Sequence, residues 1–306
     1  MNEPFMKPTN IQPNWKTDRV IGILLILLSY AIATLVGMAV YHALNHSLWI
    51  KLLAADVAAT LVIWVCSLLV DNASVYDPYW SVQPIVILFL LLTQTGIANT
   101  LTLLLCLLVF LWGIRLTLNW ASTFHGLYAQ DWRYDLIKQQ SGFLYPLANL
   151  FGIQLMPTLI VFACIAPIIQ VITTPPEFTL WAVPGLLVMV LGTLLETVAD
   201  RQLRSFRKRN PQRSAIIREG LWKHSRHPNY LGEILVWWGA FFVCISAYPS
   251  AWKFALGACL NTALFMFISI PMAEKRMAQY KESFKNYCCQ TRMLLPFPKR
   301  DDKERS

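Results

Sequence analysis

The residues best suited to chemistry lie in one stretch, Gly220-Leu-Trp-Lys-His-Ser-Arg-His-Pro-Asn-Tyr-Leu-Gly-Glu233, where ionisable groups run straight into an apolar helical segment. A membrane protein keeps such groups at the mouth of a helix where something polar must be held. Pro228 suits a first helical turn, and Asn229 and Glu233 fall four apart on one face. A helix cap accounts for Pro228 and Asn229 but leaves Arg226, His227, Tyr230 and Glu233 without a reason. Upstream, Glu196, Asp200, Arg204 and Arg207 recur at spacings of four, four and three. Exposed pairs of that kind contribute only about 0.3–0.5 kcal/mol, too little to offset the desolvation of Glu196 a turn inside the lipid boundary. Both segments therefore read as parts of a binding site. The chain has no glycine-rich phosphate loop, so a phosphorylated ligand would be gripped by Arg and Lys side chains.

Further polar segments add acids and aromatic rings. Residues 71–80 read Asp71-Asn-Ala-Ser-Val-Tyr-Asp77-Pro-Tyr-Trp80, and 121–142 contain His125, Gly126 and Asp131-Trp-Arg-Tyr-Asp135. Pro78 restricts the backbone of Asp77 and helps start a helix with the acid at its mouth. There the carboxyl can complement the helix dipole or hydrogen-bond a substrate carbonyl. Arg115 sits in an apolar run with Asn119 on the same helical face; it either snorkels to the nearby helix end or holds an anion or amide. From Ala273 to Tyr287 the residues Met277, Tyr280, Phe284 and Tyr287 stand at helical spacing. That pattern reads as an interfacial amphipathic helix from which Glu274, Arg276 and Tyr280 can reach a ligand.

These groups need a scaffold in lipid. Of 306 residues, 56% are hydrophobic and 14% charged, and a bilayer span takes about 20 apolar residues. Such runs fall at 19–41, 49–70, 81–95, 99–120, 147–172, 180–200, 229–247 and 252–273. The third is the weakest, because Gln83 and Pro84 stand at its start. The expected fold is an all-α integral membrane protein, a bundle of seven or eight transmembrane helices with cytoplasmic loops and a C-terminal amphipathic helix. Residues 1–70 are expected to form N-terminal helices, 71–297 the membrane domain carrying the motifs, and 298–306 a charged tail.

Charge orients the scaffold. The segment 201–228 holds nine Lys and Arg against Glu219 alone, which places it in the cytoplasm. The tail returns to that face two spans later. An eight-helix count brings the N-terminus, with Lys7, Lys16 and Arg19, to the same side, whereas seven would put it outside. Segments 71–80, 121–142, 201–228 and the tail then converge on one face. The net charge of +9 is thereby explained by topology and attraction to anionic lipid, and no nucleic acid is implied. No obligate protein partner is evident. The first 18 residues are polar and the run after them is long enough to span, so no cleavable signal peptide is expected. None of the seven cysteines has zinc-ligand spacing, and neither a metal nor a disulfide is expected.

The 220–233 block, the upstream Asp200-Arg-Gln-Leu-Arg204 and the closing Tyr287 to Leu-Leu-Pro-Phe resemble the C-terminal domain of the steroid 5α-reductase family. Asp77-Pro-Tyr-Trp and Asp131-Trp-Arg-Tyr are similar to the N-terminal half of its bacterial branch, the DUF1295 proteins, so the resemblance covers roughly residues 70 to 297. It implies a membrane enzyme, of the bacterial inner membrane in its bacterial branch, that binds NADPH and reduces a carbon–carbon double bond conjugated to a ketone in a lipophilic, steroid-like or isoprenoid substrate. An acid and a neighbouring hydroxyl would polarise the carbonyl.

Carried over by motif, Asn229 and Glu233 match the family's cofactor contacts, and Asp200, Arg204 and Arg207 its ribose and phosphate side. Tyr280 aligns with a cofactor tyrosine, Arg276 replaces a histidine, and Glu196 stands where some members have Asn. His227, Tyr230, Arg115, Asn119 and Arg133 complete the expected cofactor set. Asp77 is the candidate active-site carboxyl, with Tyr76 or Tyr79 as the hydroxyl, and Trp80 and Trp112 are placed on the substrate side. Isoprenylcysteine and phospholipid methyltransferases share an Arg-His-Pro-x-Tyr-x-Gly motif, so a methyltransferase using S-adenosylmethionine is the alternative, and a non-enzymatic lipid-binding or transport protein the third reading.

Overall fold

The computed structural model describes residues 13–96, 99–212 and 214–296. Among them every regular element is helical, and the one β pairing is an isolated bridge between Ser225 and Arg292. Eight helices are long and apolar enough to cross a membrane: Arg19–Ala43, Leu48–Leu69, Ala73–Thr95, Thr100–Thr123, Trp132–Thr173, Leu180–Arg209, Pro228–Ala247 and Pro249–Tyr280. Each matches one expected run, so the chain is an all-α, multi-pass membrane protein. Lys7, which entered the charge argument, lies outside the described residues, as do Arg213 and the segment from 297 onward.

The third span is longer than its apolar run. It opens with a tight turn, Ala73–Tyr76, capped by Asn72, whose side chain accepts from Ser74 N at 2.8 Å. Asp77 closes this turn, and the helix Tyr79–Thr95 begins two residues later. Pro84 lies inside this helix, where it cannot donate to the carbonyl of residue 80, and it is buried by protein. The fifth span starts as a polar helix, Trp132–Ser141, turns at Gly142 in a left-handed conformation (φ 52°), and widens into a π-helical segment at Asn149–Leu155. In that widened segment Asn149 and Gln154 both donate to Ser67 Oγ, at 3.1 and 2.9 Å.

The chain divides into two compact units, Met1–Gln94 with Val109–Phe162, and Thr95–Leu108 with Ala163–Ser306. In the first, the start of the third span is laced to the loop that precedes the fifth. Asn72 Nδ2 donates to the carbonyls of Leu127 (2.8 Å) and Ala129 (3.0 Å), Ala73 N to Gln130 Oε1 (3.1 Å), and Asp131 N to Ser74 Oγ (2.9 Å). Gly113 brings the fourth span against the third, since a Cβ there would sit 2.5 Å from the carbonyl oxygen of Ser81.

In the second unit, the sixth and seventh spans close on a seam of small residues. A Cβ on Gly232 would meet Gly192 O at 2.6 Å, and one on Gly239 would meet Gly185 O at 2.7 Å. Such contacts let backbones approach where lipid gives no hydrophobic drive between helices. The buried stripe of the sixth span, Gly185, Met189, Gly192 and Glu196, faces this seam, and Ala199 one turn on packs against Ile217 and Trp222. The expected C-terminal amphipathic segment is present as two helices rather than one. Its first part continues the last span to Tyr280, and the chain leaves helix at Lys281 (φ −119°, ψ 90°) before Phe284–Gln290 forms separately. Phe284 and Tyr287 are buried, with Tyr287 Oη donating to Trp222 O at 2.6 Å, so this part is packed on protein.

Candidate active site and nucleotide site

In the first unit the two acidic motifs meet. Asp131 caps the helix Trp132–Ser141 by accepting from Arg133 N at 2.9 Å, and its carboxylate also accepts from Arg133 Nε and Nη2 at 2.8 and 3.1 Å. That clamp fixes the first helical turn and with it Tyr134, whose hydroxyl donates to Asp77 Oδ1 at 2.7 Å. Asp77 is partly buried at the mouth of the third span. The pair therefore joins a carboxyl and a hydroxyl 57 residues apart in sequence. The same clamp commits the guanidinium of Arg133, an expected cofactor ligand, to Asp131.

Tyr76 and Tyr79 face the other way, into the core. Tyr76 is 2% exposed and bonded to Thr158 Oγ1 at 2.9 Å; Tyr79 packs between Tyr76 and Tyr30, with ring centroids 5.5 Å from each. The Tyr76 hydroxyl is bonded to Thr158 and that of Tyr79 to Thr60, whereas the hydroxyls bonded to the acid are those of Ser74 and Tyr134, which sequence reasoning named only as parts of motifs. Trp80 and Trp112, expected to line the substrate side, are in edge-to-face contact at 5.8 Å. Trp112 is fully buried, and neighbouring Gly113 permits the approach. Arg115 and Asn119 are half-buried one turn apart on the fourth span.

The second unit gathers most of the expected nucleotide ligands. Across the glycine seam, Asn229 Nδ2 donates to Asp200 Oδ1 at 3.4 Å, while Glu196 is buried at 5% beside Gly232. Glu233, four residues on from Asn229, is 2% exposed and accepts from Trp237 Nε1 at 2.7 Å. Asn229 Oδ1 is a buried acceptor without a hydrogen-bond partner among the described residues. One and two turns beyond Asp200, Arg204 is half-buried and Arg207 exposed. Burial and the nearby Arg207 lower the pKa of Lys281, whose Nζ donates to the carbonyl of Ala215 at 2.7 Å.

A separate cluster closes the tail. Arg226 Nε and Nη2 donate to Glu274 at 2.7 and 3.3 Å, and its Nη1 donates to the carbonyls of Cys288 (3.3 Å) and Thr291 (2.6 Å). His227 Nε2 lies 3.0 Å from the same Glu274 carboxyl, and its ring stacks on Tyr230 at 5.2 Å. Arg276 donates to the hydroxyl of Tyr280 one turn away. Much of the Arg-His-Pro-Asn-Tyr motif therefore anchors the tail, and Glu274 is a structural partner that its position in the sequence did not reveal.

Comparison with known proteins bears on this arrangement. Residues 63–291 match the family described as "Protein of unknown function (DUF1295)". The chain belongs to the DUF1295 family. The match takes in both acidic motifs and the Arg-His-Pro-Asn-Tyr block, as the steroid 5α-reductase-like resemblance implied. A Schizosaccharomyces pombe protein described as uncharacterized is 26% identical to this DUF1295 chain, covering 78% of it and 76% of the relative. No solved structure matches.

Proposed function

We propose that this DUF1295 protein is a membrane NADPH-dependent reductase of a carbon–carbon double bond conjugated to a ketone in a lipophilic, steroid-like or isoprenoid substrate. The Asp77–Tyr134 pair carries the reading. Both groups come from motifs that a methyltransferase leaves idle, and they put a carboxyl and a hydroxyl at the mouth of a membrane helix, 2.7 Å apart. In its protonated form Asp77 donates from Oδ2 to the ketone oxygen while Tyr134 holds Oδ1. As negative charge develops on that oxygen, the Oδ2 proton moves toward it, and the Tyr134 bond strengthens on the carboxylate left behind.

Bound NADPH supplies the hydride for the β-carbon. The second unit's residues suit that nucleotide: Asp200 and Asn229, with its unmet acceptor, fit ribose or carboxamide groups, and Arg204 and Arg207 fit phosphate. Glu196, Glu233, His227, Tyr230, Arg276 and Tyr280 remain the proposed flanking contacts within this unit. The partners are then a lipophilic small molecule and membrane lipid, with both termini cytoplasmic on the charge argument and the bacterial inner membrane as the proposed location. The test is oxidation of NADPH by purified protein with a panel of lipophilic conjugated ketones. Formation of the saturated ketone supports the reading, and methyl transfer from S-adenosylmethionine in its place overturns it.

A further inference from the structure

Within the first unit one carboxyl lacks the neighbours that its burial demands. Asp56 lies near the middle of the second span and is 4% exposed, as is Gln83 on the third span. Gln83 Nε2 donates to Asp56 Oδ2 at 2.6 Å, the carboxyl's one side-chain partner among the described residues. Asp56 Oδ1 and Gln83 Oε1 are both buried acceptors without hydrogen-bond partners among the described residues. The hydroxyls nearby do not fill the gap. Thr60 Oγ1 spends its proton on the main-chain oxygen of Asp56 at 2.9 Å, so Thr158 donates across the 3.2 Å contact to Thr60, and Tyr76 donates to Thr158 at 2.9 Å. This chain of hydroxyls ends on a backbone carbonyl and bypasses the carboxyl.

An unpaired carboxylate is costly at that depth, and intramembrane acids mark functional sites. Turning the Gln83 carboxamide by half a rotation exchanges its nitrogen and oxygen. With a proton on Asp56 Oδ2, the 2.6 Å contact is then an O–H···O bond of ordinary length. No net charge remains in the bilayer, and the unmet groups reduce to one acceptor, Asp56 Oδ1, beside one donor, Gln83 Nε2. A single hydroxyl satisfies both, giving its proton to Oδ1 and accepting from Nε2.

We propose that Asp56 and Gln83 form a membrane-interior site for the hydroxyl of a lipid alcohol. The inference rests on the reductase reading for its meaning: the substrate carries a hydroxyl remote from the double bond to be reduced. Gln83 lies six residues beyond Asp77 on one helix, a rise of about 9 Å, and Tyr76 is within electrostatic reach of both Asp56 and Asp77.

The test uses the full chain in detergent without nucleotide, with geranylgeraniol and its methyl ether as probes and tryptophan quenching as the readout. The ether keeps the chain and the oxygen but has no proton to give. The alcohol is expected to bind about tenfold tighter or more, and Asp56→Leu or Gln83→Leu to bring the two probes within about twofold. Asp56→Asn, whose amide can donate to Gln83 and accept from the hydroxyl, keeps the preference. Equal affinity of the native protein for both probes overturns the proposal and leaves water as the occupant; so does a preference that survives both leucine changes. The native comparison decides the matter even if the leucine variants do not fold. Because it involves neither nucleotide nor turnover, its failure is distinguishable from failure of the reductase reading.

Discussion

Tyr134 donates to Asp77 Oδ1 at 2.7 Å, and it can do so because Asp131 and Arg133 clamp the turn on which Tyr134 sits. The relationship unites two motifs that would otherwise be separate loop features. It also sets Tyr134 apart from the two tyrosines that the sequence suggested for the hydroxyl: Tyr76 and Tyr79 belong to the core, and Tyr134 bonds to the acid.

Tyr134→Phe removes the hydroxyl and keeps the ring, so turnover of a conjugated ketone is expected to fall by about 10²-fold, the usual scale for one proton-handling group. Asp77→Asn is expected to fall at least as far. NADPH affinity, measured by titration, stays within about twofold in both, because neither residue is a proposed nucleotide contact. Unchanged turnover in both variants returns the pair to a structural role.

Arg204→Ala and Arg207→Ala remove proposed partners of the 2′-phosphate. Each is expected to weaken NADPH by about tenfold while changing NADH less, since NADH lacks that phosphate and the charge-assisted hydrogen bond to it is lost for the first nucleotide only. Asn229→Ala weakens both nucleotides alike. Parallel titrations with the two nucleotides check this, and equal losses for NADPH and NADH in the arginine variants contradict the 2′-phosphate assignment.

Arg226 holds Glu274 and two tail carbonyls, with side chains only 10% and 20% exposed. Arg226→Ala leaves these groups unpaired and is expected to cost about 3–5 kcal/mol. Limited proteolysis then cuts the tail near 281–283, where the helix is already broken. The Lys138–Asp71 pair, 41% and 66% exposed, is the contrast: Lys138→Ala is expected to cost less than about 1 kcal/mol.

Gly232→Ala drives a methyl group against Gly192 O at 2.6 Å and Glu196 Cβ at 2.9 Å. Loss of thermal stability and of nucleotide binding are expected together, because the seam both packs the helices and positions Glu196. Gly152→Ala, with nothing within 4 Å of its added Cβ, is expected to be neutral or slightly stabilising.

The eight spans were legible because hydropathy is a local property, and each apolar run is long enough on its own. Even the weak third run holds, its missing length supplied by the polar turn Ala73–Tyr76 that Asn72 caps. The motifs were legible as motifs. The pairing of Tyr134 with Asp77 was not, since it depends on how a loop after the fourth span returns to the third. Asp56 did leave a signal, an acid in the middle of an apolar run, but motif reading passed over it. The break at Lys281 escaped notice because the helical spacing of Tyr280, Phe284 and Tyr287 continues across it.

The most direct test of the reductase account is nucleotide-selective stabilisation of the detergent-purified protein, with NADPH and S-adenosylmethionine compared in one thermal series. The account predicts that NADPH raises the unfolding temperature, with about 2.7 kcal/mol of stabilisation at a hundredfold excess over its dissociation constant, and that S-adenosylmethionine leaves it unchanged. Stabilisation by S-adenosylmethionine alone, or by neither compound, contradicts it.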